Sequence, residues 1–280
     1  MPRSETNHRP AVSKAAVPAK RGGLEPAADA RALRPLQVLD LLAQQHSGIS
    51  LSALAEQLVL PKASLMRLLH ALESEAYVMR EPGSPAFRLG PRAASLGLST
   101  LRAASVAHRY RPLLSALVAR LGETCNLTAR AGDHVVYLDR VETSEPLRMT
   151  LPPGSRVPLH CTASGKLFLS QMPVVQCQEL LATLDCSRKT AHTITQPDAL
   201  LAEIERTRKR GIGVDNEEFI SGMVAIAVPV RDARGQCVAA VACHTPTARM
   251  TLSDLLTHVA TIEHSARRIS ALVLGQAANG

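Results

Sequence analysis

The sequence predicts an α+β protein: an N-terminal winged helix-turn-helix, a linker helix, and a C-terminal ligand-binding domain of mixed strands and helices. Three observations predict it. Residues 48–90 carry two amphipathic helical segments on either side of a short break, then two strand-like runs around a Gly/Pro turn. Residues 91–121 keep a helical apolar period. Beyond residue 122, apolar strand runs alternate with amphipathic helical stretches, as in a sheet with helices at its edges. At 280 residues the chain is long enough for two separate cores.

Residues 1–30 lack periodicity and carry scattered Pro, Gly and charge, so a disordered tail is expected there. The winged helix-turn-helix is expected over 31–92. Its first helix, 35–45, sets Leu36, Leu39 and Leu42 on one side and ends at Ser47-Gly48. In the second, Leu51, Leu54, Ala55 and Leu58 recur at i, i+3, i+4 and i+7, and Ser50 or Ser52 can cap it. Pro61 suits the first position of the next helix, where its missing N–H costs nothing. That helix runs to about Ser74 and buries Leu65, Leu68, Leu69 and Leu72. Lys62, Ser64, Arg67 and His70 are left on or beside its open face, with no acid among them. Runs 77–80 and 86–89 then flank Glu81-Pro-Gly-Ser-Pro85 as a hairpin, with Arg80 and Arg88 bracketing the turn.

Two amphipathic helices joined by a break occur in many domains that never touch DNA. The added wing favours duplex recognition, because a helix in the major groove needs hydroxyls and cations near its start to meet phosphates and base edges.

A linker helix is expected over 93–108, with Pro112 able to begin another, and the C-terminal domain over 109–275. Strands are expected at 125–130, 135–141, 147–151, 224–231 and 237–244, and helices at 163–171, 174–184, 197–210 and 252–274. The cations of Arg206-Thr-Arg-Lys-Arg210 before Gly211 mark a favourable helix end.

Composition narrows the function. Aromatic residues make up only 2% of the chain, with no Trp, so the stacking platforms used to grip single strands are largely excluded. The net charge is +8, yet residues 35–92 carry five cations and five acids. The DNA reading therefore rests on where the cations sit. Six cysteines show neither a CxxC pair nor zinc-finger spacing, so no metal and no disulfide framework is expected. With no secretory leader and no membrane-length apolar run, a cytoplasmic protein with reduced thiols is expected.

The pairs His160-Cys161 and Cys243-His244 read as core residues and a pocket histidine. Ala163-Ser-Gly-Lys166 is no phosphate loop, since His160 replaces the required glycine and Leu167 the Mg²⁺-binding hydroxyl. Asp215-Asn-Glu-Glu218 suggests either a metal or acid/base site or, equally for residues 216–218, a solvated acidic loop, whereas Asp215 stands apart, ahead of an apolar strand. No catalytic residue or cofactor is expected. The rival reading is a metabolite-binding enzyme whose N-terminal domain serves oligomerisation.

Several motifs in one order carry a resemblance covering about residues 31–272. They are Ser50-Leu-Ser-Ala-Leu-Ala55, Leu60-Pro-Lys-Ala-Ser-Leu-Met-Arg-Leu-Leu69, Phe87-Arg-Leu-Gly90, Gly122-Glu-Thr-Cys-Asn-Leu127, Val136-Tyr-Leu-Asp-Arg-Val141, Gly154-Ser-Arg-Val-Pro-Leu-His-Cys-Thr-Ala163, Gly165-Lys166, and Val214-Asp-Asn-Glu-Glu218 before Gly222 and Ile226-Ala227. In these the chain resembles the IclR family of bacterial transcriptional regulators. The resemblance implies a winged helix-turn-helix that dimerises on double-stranded operator DNA, and a GAF-like C-terminal domain that binds a small organic, often aromatic, acid. It also implies a homodimer or homotetramer. The implied effector pocket consists of Met149, Val157, Ala163, Ser164, Asp215, Met223, Ala225, Ala242 and His244. The chain departs from the family pattern at Ala225, where Cys is common, at Ala242-Cys243-His244, where Ser-x-Ser is common, and at Val59, where the turn often has Gly. The departures suggest a larger, partly apolar effector whose carboxylate meets a charged His244.

Overall fold

The structure is a computed structural model that describes residues 31–274 apart from 46, 47 and 82. The tail expected over 1–30 and Ser47 lie outside the described residues. The N-terminal unit follows the expected order: α1 (Arg34–Ala43), α2 (Leu51–Gln57), α3 (Lys62–Ser74) and a hairpin of β1 (Val78–Arg80) and β2 (Phe87–Leu89). Ser50, not Ser52, caps α2, its hydroxyl accepting the Ala53 N–H at 3.3 Å. Pro61 sits just outside α3, one residue earlier than expected.

The face of α1 also differs from the expected one: Val38 and Leu42 are buried, four residues apart, while Leu36 is 56% exposed. Leu54, Leu65, Leu69, Val78 and Phe87 complete this core. Ile49 bridges Phe87 by two backbone hydrogen bonds of 2.9 Å, which ties the entry to α2 onto the wing.

Two helices follow, α4 (Pro91–Arg102) and α5 (Ala104–Leu121). They break at Ala103, whose backbone is extended, and not at Pro112, which lies inside α5. The buried Tyr110 fixes the break by donating its hydroxyl to the Leu101 carbonyl in the last turn of α4.

The C-terminal unit is one antiparallel sheet in the order β5-β4-β3-β8-β7-β6. Its strands are β3 (Thr124–Ala131), β4 (His134–Val141), β5 (Arg156–Pro158), β6 (Gly213–Asn216), β7 (Met223–Arg231) and β8 (Cys237–Pro246). The helices are α6 (Ala163–Ser170), α7 (Val174–Thr183), α8 (Pro197–Arg210), α9 (Leu252–Leu256) and α10 (Val259–Leu274). Strand side chains alternate between two cores. Leu127, Ile226 and Val241 pack with Leu114 of α5 and Ile262 of α10 on one face. Ala227, Ala240 and Ala242 pack with Leu167 of α6 and Ile204 of α8 on the other. Among the described residues no helix is long and apolar enough to cross a membrane.

Three strand expectations need correcting. Residues 147–151 form no strand, because arginines occupy the carbonyls that a neighbouring strand would take. Arg249 donates to the Leu147 carbonyl at 2.6 Å and Arg140 donates to that of Met149. The short edge strands β5 and β6 were not expected at all. The single helix expected over 252–274 is two, the first opened by a Thr251–Asp254 capping box.

Candidate functional site

The first candidate surface is the open face of α3. Lys62, Arg67 and His70 are exposed and Ser64 half-buried, and among the described residues none of their side chains has a hydrogen-bond or ion-pair partner. The wing arginines fall on opposite faces of their hairpin. Arg80 lies opposite Phe87 in the register, stacks on its ring at 4.8 Å and pairs with Glu73 at 3.5 Å. Arg88 lies opposite Met79 on the other face and is exposed. Val59, in the turn between α2 and α3, has φ +51 and is 86% exposed, so the chain adopts there the left-handed backbone that glycine would adopt freely.

The second is a cavity between the sheet and the start of α6. The structure brings together all nine residues named for the pocket: Met149, Val157, Ala163, Ser164, Asp215, Met223, Ala225, Ala242 and His244. Strand alternation puts Ala225, Ala242 and His244 on the cavity face, and the register pairs Ala225 with both Asp215 and His244. A close approach seats β6 against α6: a Cβ on Gly213 would stand 1.9 Å from the Ala163 carbonyl oxygen, so only glycine fits. Thr162 caps α6, accepting the Gly165 N–H at 3.1 Å. The N–H groups of Ala163 and Ser164, in the first turn, have no intrahelical partner.

Sequence reasoning missed Asn126, Tyr137, Thr162, Phe219 and Ile220, which also line the cavity. Alternation along β3 could have found Asn126, since it shares a face with Thr128, whose hydroxyl donates to Ser164 at 2.9 Å.

Electrostatics in the cavity is governed by burial. Asp215 accepts the Glu218 and Phe219 N–H groups at 2.8 and 3.3 Å. Burial nevertheless pushes its carboxyl up to about 7, against the pull of those bonds and of Lys166. Burial also pushes Tyr137 up to about 12. His244 is pushed down to about 3, by burial first and by the Arg140 guanidinium second. Burial and the nearby guanidinium thus favour the neutral imidazole in the unliganded chain, whereas the charged form was expected beside a bound carboxylate.

The loop expected to be solvated is also tied down. Glu218 is buried and pairs with the fully buried Lys166 of α6. His160 donates from Nε2 to the Ser187 carbonyl at 3.0 Å. All six cysteines are free thiols. Among the described residues no three His, Cys, Asp or Glu side chains gather as a metal site.

Comparison with known proteins agrees with this two-part arrangement. The IclR helix-turn-helix domain matches residues 32–82 and the bacterial transcriptional regulator IclR C-terminal domain matches residues 98–271. The chain is 46% identical to the protein named Probable transcriptional regulator SauR of Cupriavidus necator, over 81% of this chain and 90% of that one. It is 34% identical to the HTH-type transcriptional regulator BhcR of Paracoccus denitrificans, over 89% of each. Among solved structures, the IclR of Thermotoga maritima superposes with a TM-score of 0.57 at 28% identity, over 88% of this chain and 99% of that one. Both domain matches and the 46% identity place the chain in one family: it belongs to the IclR family of bacterial transcriptional regulators.

Proposed function

We propose that the chain is a ligand-responsive regulator that binds double-stranded operator DNA as a homodimer or homotetramer and controls a catabolic operon for the small organic acid that enters its cavity. The observation that carries this reading is the pairing, in one chain, of a basic face on α3 with a partly open cavity that holds a buried polar atom, His244 Nε2, both without partners among the described residues. Lys62, Ser64, Arg67 and His70 face the duplex, with Arg88 on the wing. Arg80, already stacked and paired, contributes less. The chain does no catalysis in this reading and works in the cytoplasm, where its operator is.

The cavity supports a compact effector. Its volume is about 40 Å³, whereas cavities that admit benzene are about 150 Å³. A larger, aromatic acid would need the lining to adapt, as the flexible side chains of Met149 and Met223 allow.

Gel shifts at several salt concentrations test the DNA contacts. Arg67→Ala should weaken operator binding about 5–150-fold if it reads a base, and Lys62→Ala should lower the salt slope by about one. Unchanged operator affinity and salt slope in both variants would remove α3 from the interface. Footprinting should show two half-sites about one helical turn apart, or a multiple of that. Calorimetry with a panel of aliphatic and aromatic acids, alongside a turnover assay, tests the effector and the absence of catalysis.

A further inference from the structure

Arg140 is buried, and its guanidinium can only donate hydrogen bonds. Its Nη1 lies 3.3 Å from Asn126 Oδ1, which settles the amide's orientation, because the flipped amide would set donor against donor. Asn126 Nδ2 therefore faces His244 Nδ1, 3.0 Å away, as a donor. That ring nitrogen must offer its lone pair. The one proton of the neutral imidazole then sits on Nε2. A second proton on Nδ1 would oppose the Asn126 N–H directly. His244 is 5% exposed and lines the cavity, and its Nε2 is buried with no partner among the described residues.

Resting on the reading of this cavity as the effector site, we propose that Asn126 is a positioning residue that locks His244 as a neutral Nε2–H donor, and that this donor selects compact acids presenting an acceptor oxygen at the β8 end of the cavity. Recognition is then by hydrogen bond and shape, not by ion pairing. The Ser164 hydroxyl, 2.9 Å from that of Thr128, lines the same cavity. A ligand without an oxygen at this position leaves the buried N–H unpaired, and should bind about tenfold more weakly or worse. The groups facing His244 are Asn126 and Arg140 from β3 and β4, Ser164 from α6, and Tyr137 and Asp215 across the cavity. Arg140 is the cation among them, and it sits on the Nδ1 side, behind Asn126.

The test is nuclear magnetic resonance of the full-length protein carrying ¹⁵N-labelled histidine, with His244 assigned by His244→Gln. The wild type should show the Nε2–H form, unchanged from about pH 5 to 8, through the range where an ordinary histidine titrates. Asn126→Asp puts an acceptor against Nδ1 and should convert the ring to the doubly protonated form. Asn126→Leu removes the donor and should release a mixture of tautomers. Acetate, glyoxylate and benzoate are then titrated in as probes: at least one should move the Nε2 signal with the tautomer unchanged, and bind Asn126→Leu at least tenfold more weakly. A wild-type His244 that titrates in the window or carries its proton on Nδ1 overturns the lock. An Asn126→Leu spectrum identical to wild type overturns the positioning role, and a Nε2 signal that none of the three acids moves overturns the ligand selection. Operator release by an acid that leaves His244 silent would sink this inference alone, whereas a protein that binds no operator would sink the functional reading and leave the tautomer result standing.

Discussion

Replacing Asp215 by Asn tests whether the cavity holds a carboxyl group protonated. Asp215 is 6% exposed, and burial raises its carboxyl from 3.8 to about 7. A shift of roughly three units, at about 1.4 kcal/mol each, makes the charged side chain cost the folded state about 4 kcal/mol. The sign follows from proton binding. Between about pH 4 and 7 the folded chain holds a proton that the unfolded chain has lost, so stability from this group is fully present below about pH 4 and falls as pH rises to about 7. Above that it stays low.

Asparagine keeps an oxygen for the Glu218 and Phe219 N–H groups, so the charge leaves while the loop anchor remains. The variant should therefore be more stable than wild type by roughly 2–4 kcal/mol at about pH 8, with the gain shrinking towards zero near pH 4. Urea unfolding followed by circular dichroism at three pH values measures this, and taking variant minus wild type cancels the other titrating groups. A difference that does not change with pH would refute the reasoning.

Three further outcomes are expected. Val59→Gly should stabilise the N-terminal unit by about 0.5–1 kcal/mol, since the left-handed backbone costs a β-branched residue about 1–2 kcal/mol and glycine's entropy returns part of that; a lower melting temperature for this unit would contradict it. Lys166→Met leaves Glu218 buried without its partner and should cost roughly 3–5 kcal/mol, most of it recovered by adding Glu218→Leu. Urea midpoints for the single and double variants decide the matter, and equal losses in both would show that the pair is not what matters. Gly213→Ala drives a Cβ into the Ala163 carbonyl oxygen and should cost roughly 3 kcal/mol or more; a thermal shift below a degree would show that β6 can move away.

The helix-turn-helix was legible because helical burial repeats every three or four residues, and Leu54, Ala55, Leu65, Leu69 and Leu72 are buried where that period puts them. The four central strands were legible for a similar reason: sheet faces covered by helices on both sides demand long apolar runs, as in 224–231. The nine cavity residues were named from family motifs, because the loop at Met149 together with β5, α6, β6, β7 and β8 supplies them from segments far apart in the chain. Edge strands were out of reach. Three residues at 156–158 make too short a pattern, and 147–151 has strand-like residues whose carbonyls go to Arg140 and Arg249.

By itself, then, the sequence determined which segments bury apolar side chains and which face of α3 carries its cations. Tertiary structure alone decided that Leu36 faces outwards, that Arg80 stacks on Phe87, and that the proton of His244 sits on Nε2. Those outcomes depend on which groups meet across long stretches of chain. Asn126 and His244 are 118 residues apart and 3.0 Å from each other, and local periodicity carries no information about such a meeting.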